Sequence, residues 1–116
     1  MPENTNQPPT LESSTPQWQT DRILRSHCPQ PIFNTEHGVL FQGDCLEILK
    51  HLKSESVDTV FADPPFNLGK HYGKKVNDIL GDREYLNWMF AWIAECERVL
   101  RPGGSLFIYN LPRWNI

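Results

Sequence analysis

Apolar residues are sparse over residues 1–31 and frequent from residue 32 onward. The first stretch is rich in Pro, Gln, Ser, Thr and Asn. Pro2, Pro8, Pro9, Pro16, Pro29 and Pro31 interrupt any regular element there. It predicts a flexible, disordered leader that buries too little apolar surface to order itself, docked at most locally through Trp18, Ile23 and Leu24. Beyond it, Val39, Leu40, Phe41 and Gln42 predict a short buried strand ended by Gly43 and Asp44. Leu46, Ile48, Leu49 and Leu52 recur at helical spacing, which predicts a helix over 45–53 with Asp44 as its N-cap. The β-branched and aromatic run over 57–62 predicts a second strand, with Asp63 at its carboxyl end.

Residues 64–82 carry glycines and lysines and predict a loop. A helix is predicted over 83–100. Leu86, Met89, Phe90, Ile93 and Leu100 lie along one side, widened by Trp88, Trp92 and Val99. Pro102, Gly103 and Gly104 stop it, and a third strand is predicted over 105–109. Strand, helix, strand, helix, strand is the alternation of a parallel α/β sheet with right-handed crossovers. Ligands of such sheets bind outside the carboxyl ends of the strands. Asp44, Asp63 and Asn110 are expected at those ends.

The chain has 116 residues, enough for one small domain with a marginal core. Its net charge of −3 lacks the basic balance usual in a complete nucleic-acid surface. Cys28, Cys45 and Cys96 are odd in number and scattered, which fits reduced thiols in the cytoplasm better than disulfides. Cys45 and Cys96 are read as packing residues. His27, His37 and His51 have no partners at metal-ligand spacing, so no metal is expected. Neither a signal peptide nor a membrane-spanning run is apparent.

The chemistry concentrates at Asp63, Pro64, Pro65 and Phe66. Two prolines fix two φ angles and remove two N–H donors while leaving their carbonyls. The result is a stiff rim of acceptors beside an aromatic face, suited to a ligand that donates hydrogen bonds. An exocyclic amine on a nucleobase is such a ligand. Its lone pair is delocalised into the ring until both N–H groups are held by acceptors such as the Asp63 carboxylate and the Pro64 carbonyl. A plain strand-ending turn is the competing reading of these residues.

The run from Asp63 to Gly69 resembles the catalytic motif of the N6-adenine and N4-cytosine DNA methyltransferases. So do residues 43–49, 56–62, 98–106 and 110–116 in their order, a likeness covering roughly residues 36–116. Upstream of Asp63 the only glycines are Gly38 and Gly43. The chain therefore resembles the permuted class, in which the glycine-rich cofactor loop follows the catalytic motif. The likeness implies a partial Rossmann-like, S-adenosylmethionine-dependent methyltransferase fold, with residues 1–31 as leader and 32–116 as the incomplete N-terminal part of a catalytic domain.

The resemblance further implies methyl transfer from S-adenosylmethionine to the exocyclic amine of a base flipped out of double-stranded DNA. Adenine N6 is favoured over cytosine N4, because aspartate opens this motif more often in adenine enzymes. By the same likeness Asp63, Pro64, Pro65 and Phe66 are catalytic, and Asp44 and Asp63 contact the cofactor. Asp44 reads equally as a simple N-cap. Lys70, Tyr72, Lys74 and Lys75 are candidates for DNA contact, or form an ordinary solvated loop. Trp88 and Trp92 are read as core packing rather than a stacking platform. A cognate restriction enzyme is a candidate partner. The rival readings are an inactive truncated remnant and an RNA or protein amine methyltransferase. Lacking the cofactor loop, the chain alone is expected to transfer no methyl groups.

Overall fold

A computed structural model describes residues 22–25, 27–68 and 81–114. Their elements run β1 (Phe33–Thr35), β2 (Gly38–Leu40), α1 (Cys45–Leu49), β3 (Val57–Ala62), α2 (Asp82–Val99), β4 (Leu100–Ile108) and a 3-10 turn, Pro112–Trp114. The architecture is mixed α/β. Its central feature is the parallel pair β3–β4, crossed over by α2. The expected parallel pairing and the span 57–62 are both present.

The seam of α2 is Tyr85, Met89, Trp92, Cys96 and Val99, all buried. Alternating spacings of four and three keep them on one stripe. Its first four residues belong to one cluster that packs on Val60, Ala62, Leu106 and Ile108, the residues that point to one face of β3 and β4. Trp88 joins the same core, as expected of a packing residue. Phe90, expected on the apolar side, is instead 62 % exposed. It follows Met89 by one position, about 100° around the helix, and so leaves the stripe.

Three further expectations need correction. The strand expected over 39–42 is β2, and it does not enter the parallel sheet. It forms an antiparallel hairpin with β1, with Thr35 opposite Gly38 and Phe33 opposite Leu40. The hairpin lacks an Asn-Gly turn; the Thr35 hydroxyl braces it by accepting from the His37 amide at 3.2 Å. The helix expected over 45–53 ends at Leu49, and His51 and Leu52 donate back in tight i→i−3 turns. Finally, Pro102, Gly103 and Gly104 do not stop α2. Leu100 already turns extended (ψ 135°) and pairs with Val57, so the Pro-Gly-Gly stretch lies within β4 as an irregularity. Gly103 takes a φ of +82°, a conformation open mainly to glycine.

The shortened α1 frees Leu52 to form an antiparallel bridge with Leu24, which is itself buried. The Arg25 amide donates to the His51 carbonyl, and the Lys53 amide to the Ile23 carbonyl. These contacts fasten residues 23–25 to the segment that follows α1. Arg98 ties this corner to α2. Its guanidinium donates to the Leu49 carbonyl at 2.8 Å and the Leu52 carbonyl at 2.9 Å, and pairs with Glu95 at 2.8 Å. The last carbonyl of α1 thereby gains a second donor, and the Leu52 carbonyl a partner. The opposite face of the parallel pair is open: Phe61, Phe107 and Tyr109 are 71 %, 56 % and 62 % exposed.

Gly104 lies where β4 rejoins β3. A Cβ there falls 2.9 Å from both the Arg101 and Asp58 carbonyl oxygens, and neither backbone atom yields easily. Gly104→Ala is expected to lower unfolding free energy by about 1–3 kcal/mol in urea titrations. Gly38→Ala, which meets nothing within 4 Å, is expected to stay within about 0.5 kcal/mol. Equal stabilities for the two variants would refute the close approach.

Candidate active site

The Tyr109 amide donates to the Ala62 carbonyl at 2.9 Å, extending the parallel ladder to the last residue of β3. The chain then leaves the sheet through Asp63, Pro64, Pro65 and Phe66. Asp63 is exposed and the next three residues are half-buried. Asp63 and Asn110 both follow the carboxyl ends of their strands, as the α/β pattern requires.

Asn67 closes the stretch with a φ of +58°, a left-handed conformation that asparagine tolerates. Tyr85, in the first turn of α2, donates its hydroxyl to the Pro65 carbonyl at 2.5 Å. The indole N–H of Trp114 donates to the Phe66 carbonyl at 3.1 Å. The Phe66 ring leans on Tyr109, with centroids 5.6 Å apart and planes 57° apart.

Beside the tip of β3 lies an apolar hollow of about 690 Å³, walled by Val39, Phe41, Ile48, Val60 and Trp92. Asp63, Pro64 and Pro65 line it; Phe66 does not. Asp63 is the one ionisable carboxylate among the described lining residues. Gly43 and Cys45 line the same hollow, but Asp44 between them does not. Trp92 is a wall residue, and among the described residues no acceptor reaches its buried indole N–H.

Asp44 is the N-cap expected of it: its Oδ1 accepts the Leu46 amide at 2.8 Å. Only one carboxylate oxygen is used in this bond, which leaves the other for a ligand. Cys45 is exposed rather than buried as expected. Its thiol pKa is nevertheless raised, first by desolvation and then by the Asp44 carboxylate. Cys96 is buried on the α2 seam. Among the described residues no group of His, Cys, Asp and Glu is placed to hold a metal ion. No described helix is long and apolar enough to cross a membrane. Lys70, Tyr72, Lys74 and Lys75 lie outside the described residues, as do residues 1–21. The sequence pattern does not point to Tyr85 or Trp114 as parts of the site. Aromatics in an amphipathic helix and after a strand look like core, and only the fold brings them to the Pro-Pro stretch.

A carboxylate and two prolines without N–H groups thus follow directly on the tip of a parallel strand. Comparison with known proteins gives this site its family. The model of the DNA methylase family matches residues 57–113, which include β3, the Asp-Pro-Pro-Phe stretch, α2 and β4. The chain is 57 % identical over 86 residues to the type II methyltransferase M.BamHI of Bacillus amyloliquefaciens, covering 74 % of this chain and 20 % of that protein. It is 40 % identical over 87 residues to the DNA adenine methyltransferase YhdJ of Escherichia coli (strain K12), covering 75 % of this chain and 29 % of that protein. It is also 40 % identical over 70 residues to the type II methyltransferase M.HpaI of Haemophilus parainfluenzae, covering 60 % of this chain and 22 % of that protein. No solved structure matches. The chain belongs to the DNA methylase family and spans under a third of the length of these relatives.

The two roles of Asp44 separate experimentally. Asp44→Ala removes the cap and is expected to cost about 1 kcal/mol in thermal or urea unfolding. Asp44→Asn keeps a capping oxygen and is expected to cost only a few tenths of that. Equal losses in the two variants would show that charge, not capping, dominates the structural role.

Proposed function

We propose that this chain supplies the base-binding and catalytic part of a DNA amino-methyltransferase. The observation that carries the reading is the placement of Asp63 and Pro64 directly after β3, both residues lining one hollow. Two acceptors at a rigid tip match the two N–H groups of an exocyclic amine. Holding both N–H groups favours a more tetrahedral nitrogen and frees its lone pair. Asp63 and Pro64 act by position and electrostatics rather than by bonding covalently. The Asp63 carboxylate also stabilises the nitrogen as it becomes cationic.

S-adenosylmethionine, when bound, supplies an electrophilic methyl group. The hollow is large enough for an adenosyl group. A partial Rossmann-like methyltransferase sheet is the architecture that this strand order suggests, with residues 32–116 as the catalytic portion and 1–31 as a leader. The substrate is double-stranded DNA with its target base flipped, in the cytoplasm and beside a cognate restriction enzyme. Phe66 and Pro65 flank the base on the aromatic side, and Lys70, Tyr72, Lys74 and Lys75 contact nearby phosphates. Adenine N6 is the first candidate acceptor, because the relative YhdJ is named an adenine enzyme. Cytosine N4 presents the same pair of donors.

The test places the matched 86-residue stretch into M.BamHI in place of its counterpart. The graft is expected to incorporate radiolabelled methyl into unmethylated DNA, and mass spectrometry of the nucleosides separates N6-methyladenine from N4-methylcytosine. Asp63→Ala is expected to lower kcat by at least about 100-fold, while S-adenosylmethionine affinity stays within about twofold. A graft that keeps its full activity after Asp63→Ala would end the proposal.

A further inference from the structure

The Pro-Pro stretch has no means of holding itself. Pro64 and Pro65 lack N–H groups, so the carbonyls are the only backbone handles there. Two successive carbonyls of the loop are held from outside by donors on separate elements, Tyr85 of α2 for Pro65 and Trp114 of the 3-10 turn for Phe66. The hydroxyl of Tyr85 is itself oriented. The Asn110 side-chain amide donates to the Tyr85 oxygen at 3.1 Å, so the single hydroxyl proton is directed to Pro65. Asn110 is fixed in turn, because its Oδ1 accepts the Leu111 amide at 2.8 Å. Tyr85 and Trp114 also pack together, with ring centroids 4.6 Å apart, and both are buried. Among the described residues no donor reaches the Asp63 carboxylate or the Pro64 carbonyl.

We propose that Tyr85, Asn110 and Trp114 are positioning residues for methyl transfer: they clamp the Pro65 and Phe66 carbonyls and so set the aim of the two free acceptors, Asp63 and Pro64. The inference rests on the amino-methyltransferase reading above. Buried tyrosine and tryptophan commonly find some partner for their polar atoms. The distinguishing feature is convergence. Two donors from different elements grip successive residues of one loop, and an asparagine at the neighbouring strand end dictates the direction of the proton. An acceptor pair aimed at a reacting nitrogen tolerates little displacement, since a misplacement of about 1 Å can cost about 100-fold in rate.

The closing experiment is backbone NMR on the full chain, comparing wild type with Tyr85→Phe, Trp114→Phe and the double variant. Each substitution keeps an aromatic ring in the core and removes one donor. In the double variant the amide order parameters of Phe66 and Asn67 are expected to fall from about 0.85 to below about 0.6, with residues 57–62 unchanged. The Pro65 and Phe66 carbonyl carbons are expected to shift as their hydrogen bonds are lost, each in the variant lacking its own donor. Unchanged order at Phe66 and Asn67, or loosening that spreads equally into β3, would overturn the clamp. Asp63→Ala is expected to leave these order parameters as they are. Failure of the clamp is therefore read here, and failure of the methyl-transfer reading is read separately in the Asp63→Ala graft.

Discussion

Everything placed at the tip of β3 depends on the burial of one helical stripe. Tyr85, Met89, Trp92 and Cys96 remove a continuous apolar band of α2 from water against Val60, Ala62, Leu106 and Ile108. Burying side chains of this size contributes about 1.5–3 kcal/mol each, the largest favourable term available to so small a core. The same stripe fixes the rotation of α2 and therefore which residue of its first turn faces the strand ends. That residue is Tyr85. Turning the helix by one position would direct Leu86 or Glu84 at the Pro65 carbonyl, and neither offers a hydroxyl.

The helix also sets the register at its other end. Leu100 leaves α2 directly into β4 opposite Val57, and the Ser56 amide donates to the Val99 carbonyl at 2.8 Å. With no intervening loop, helix and strand cannot slide independently. The irregularity between Val57 and Thr59 absorbs the Pro102–Gly103–Gly104 stretch, after which pairing is regular to Ala62 and Ile108. Arg98 extends the constraint to α1, so the N-cap at Asp44 and the tip at Asp63 are referenced to a common helix. Contacts from α2 thereby reach both the end of α1 and the turn after β3.

Much of this is legible in the sequence, and the reasons for the exceptions are physical. The strand over 57–62 and the long helix carry strong periodicity and emerge nearly at their observed bounds. The Asp44 cap and the placement of Asp63 follow from local rules. The β1–β2 hairpin is not legible because Phe33–Thr35 is only three residues long and exposed, with no turn signal. The end of α1 is hidden because Leu52 continues the helical spacing while its backbone is spent on the Leu24 bridge, a contact between distant residues. Pro-Gly-Gly resembles a helix stop, yet the stop is made earlier, at Leu100, through pairing with β3. At the site, Asp63 and the prolines are visible as chemistry. Tyr85 and Trp114 are not, because a buried aromatic in a periodic pattern carries no mark of what its polar atom touches.

The use made of the acidic residues separates structure from chemistry. Asp58 is paired with Arg101 at 2.8 Å, and Asp82 faces Arg113 at 3.9 Å. Glu95 holds Arg98, Glu47 holds Lys50, and Asp44 caps α1. Each of these carboxylates answers a local need of the fold. Asp63, like Glu55, Glu84 and Glu97, has no described cation or N–H group against its carboxylate; it differs from them in adjoining the turn that Tyr85 and Trp114 anchor. Rigid backbone beneath an uncommitted charge is the arrangement expected where binding, rather than folding, supplies the partner.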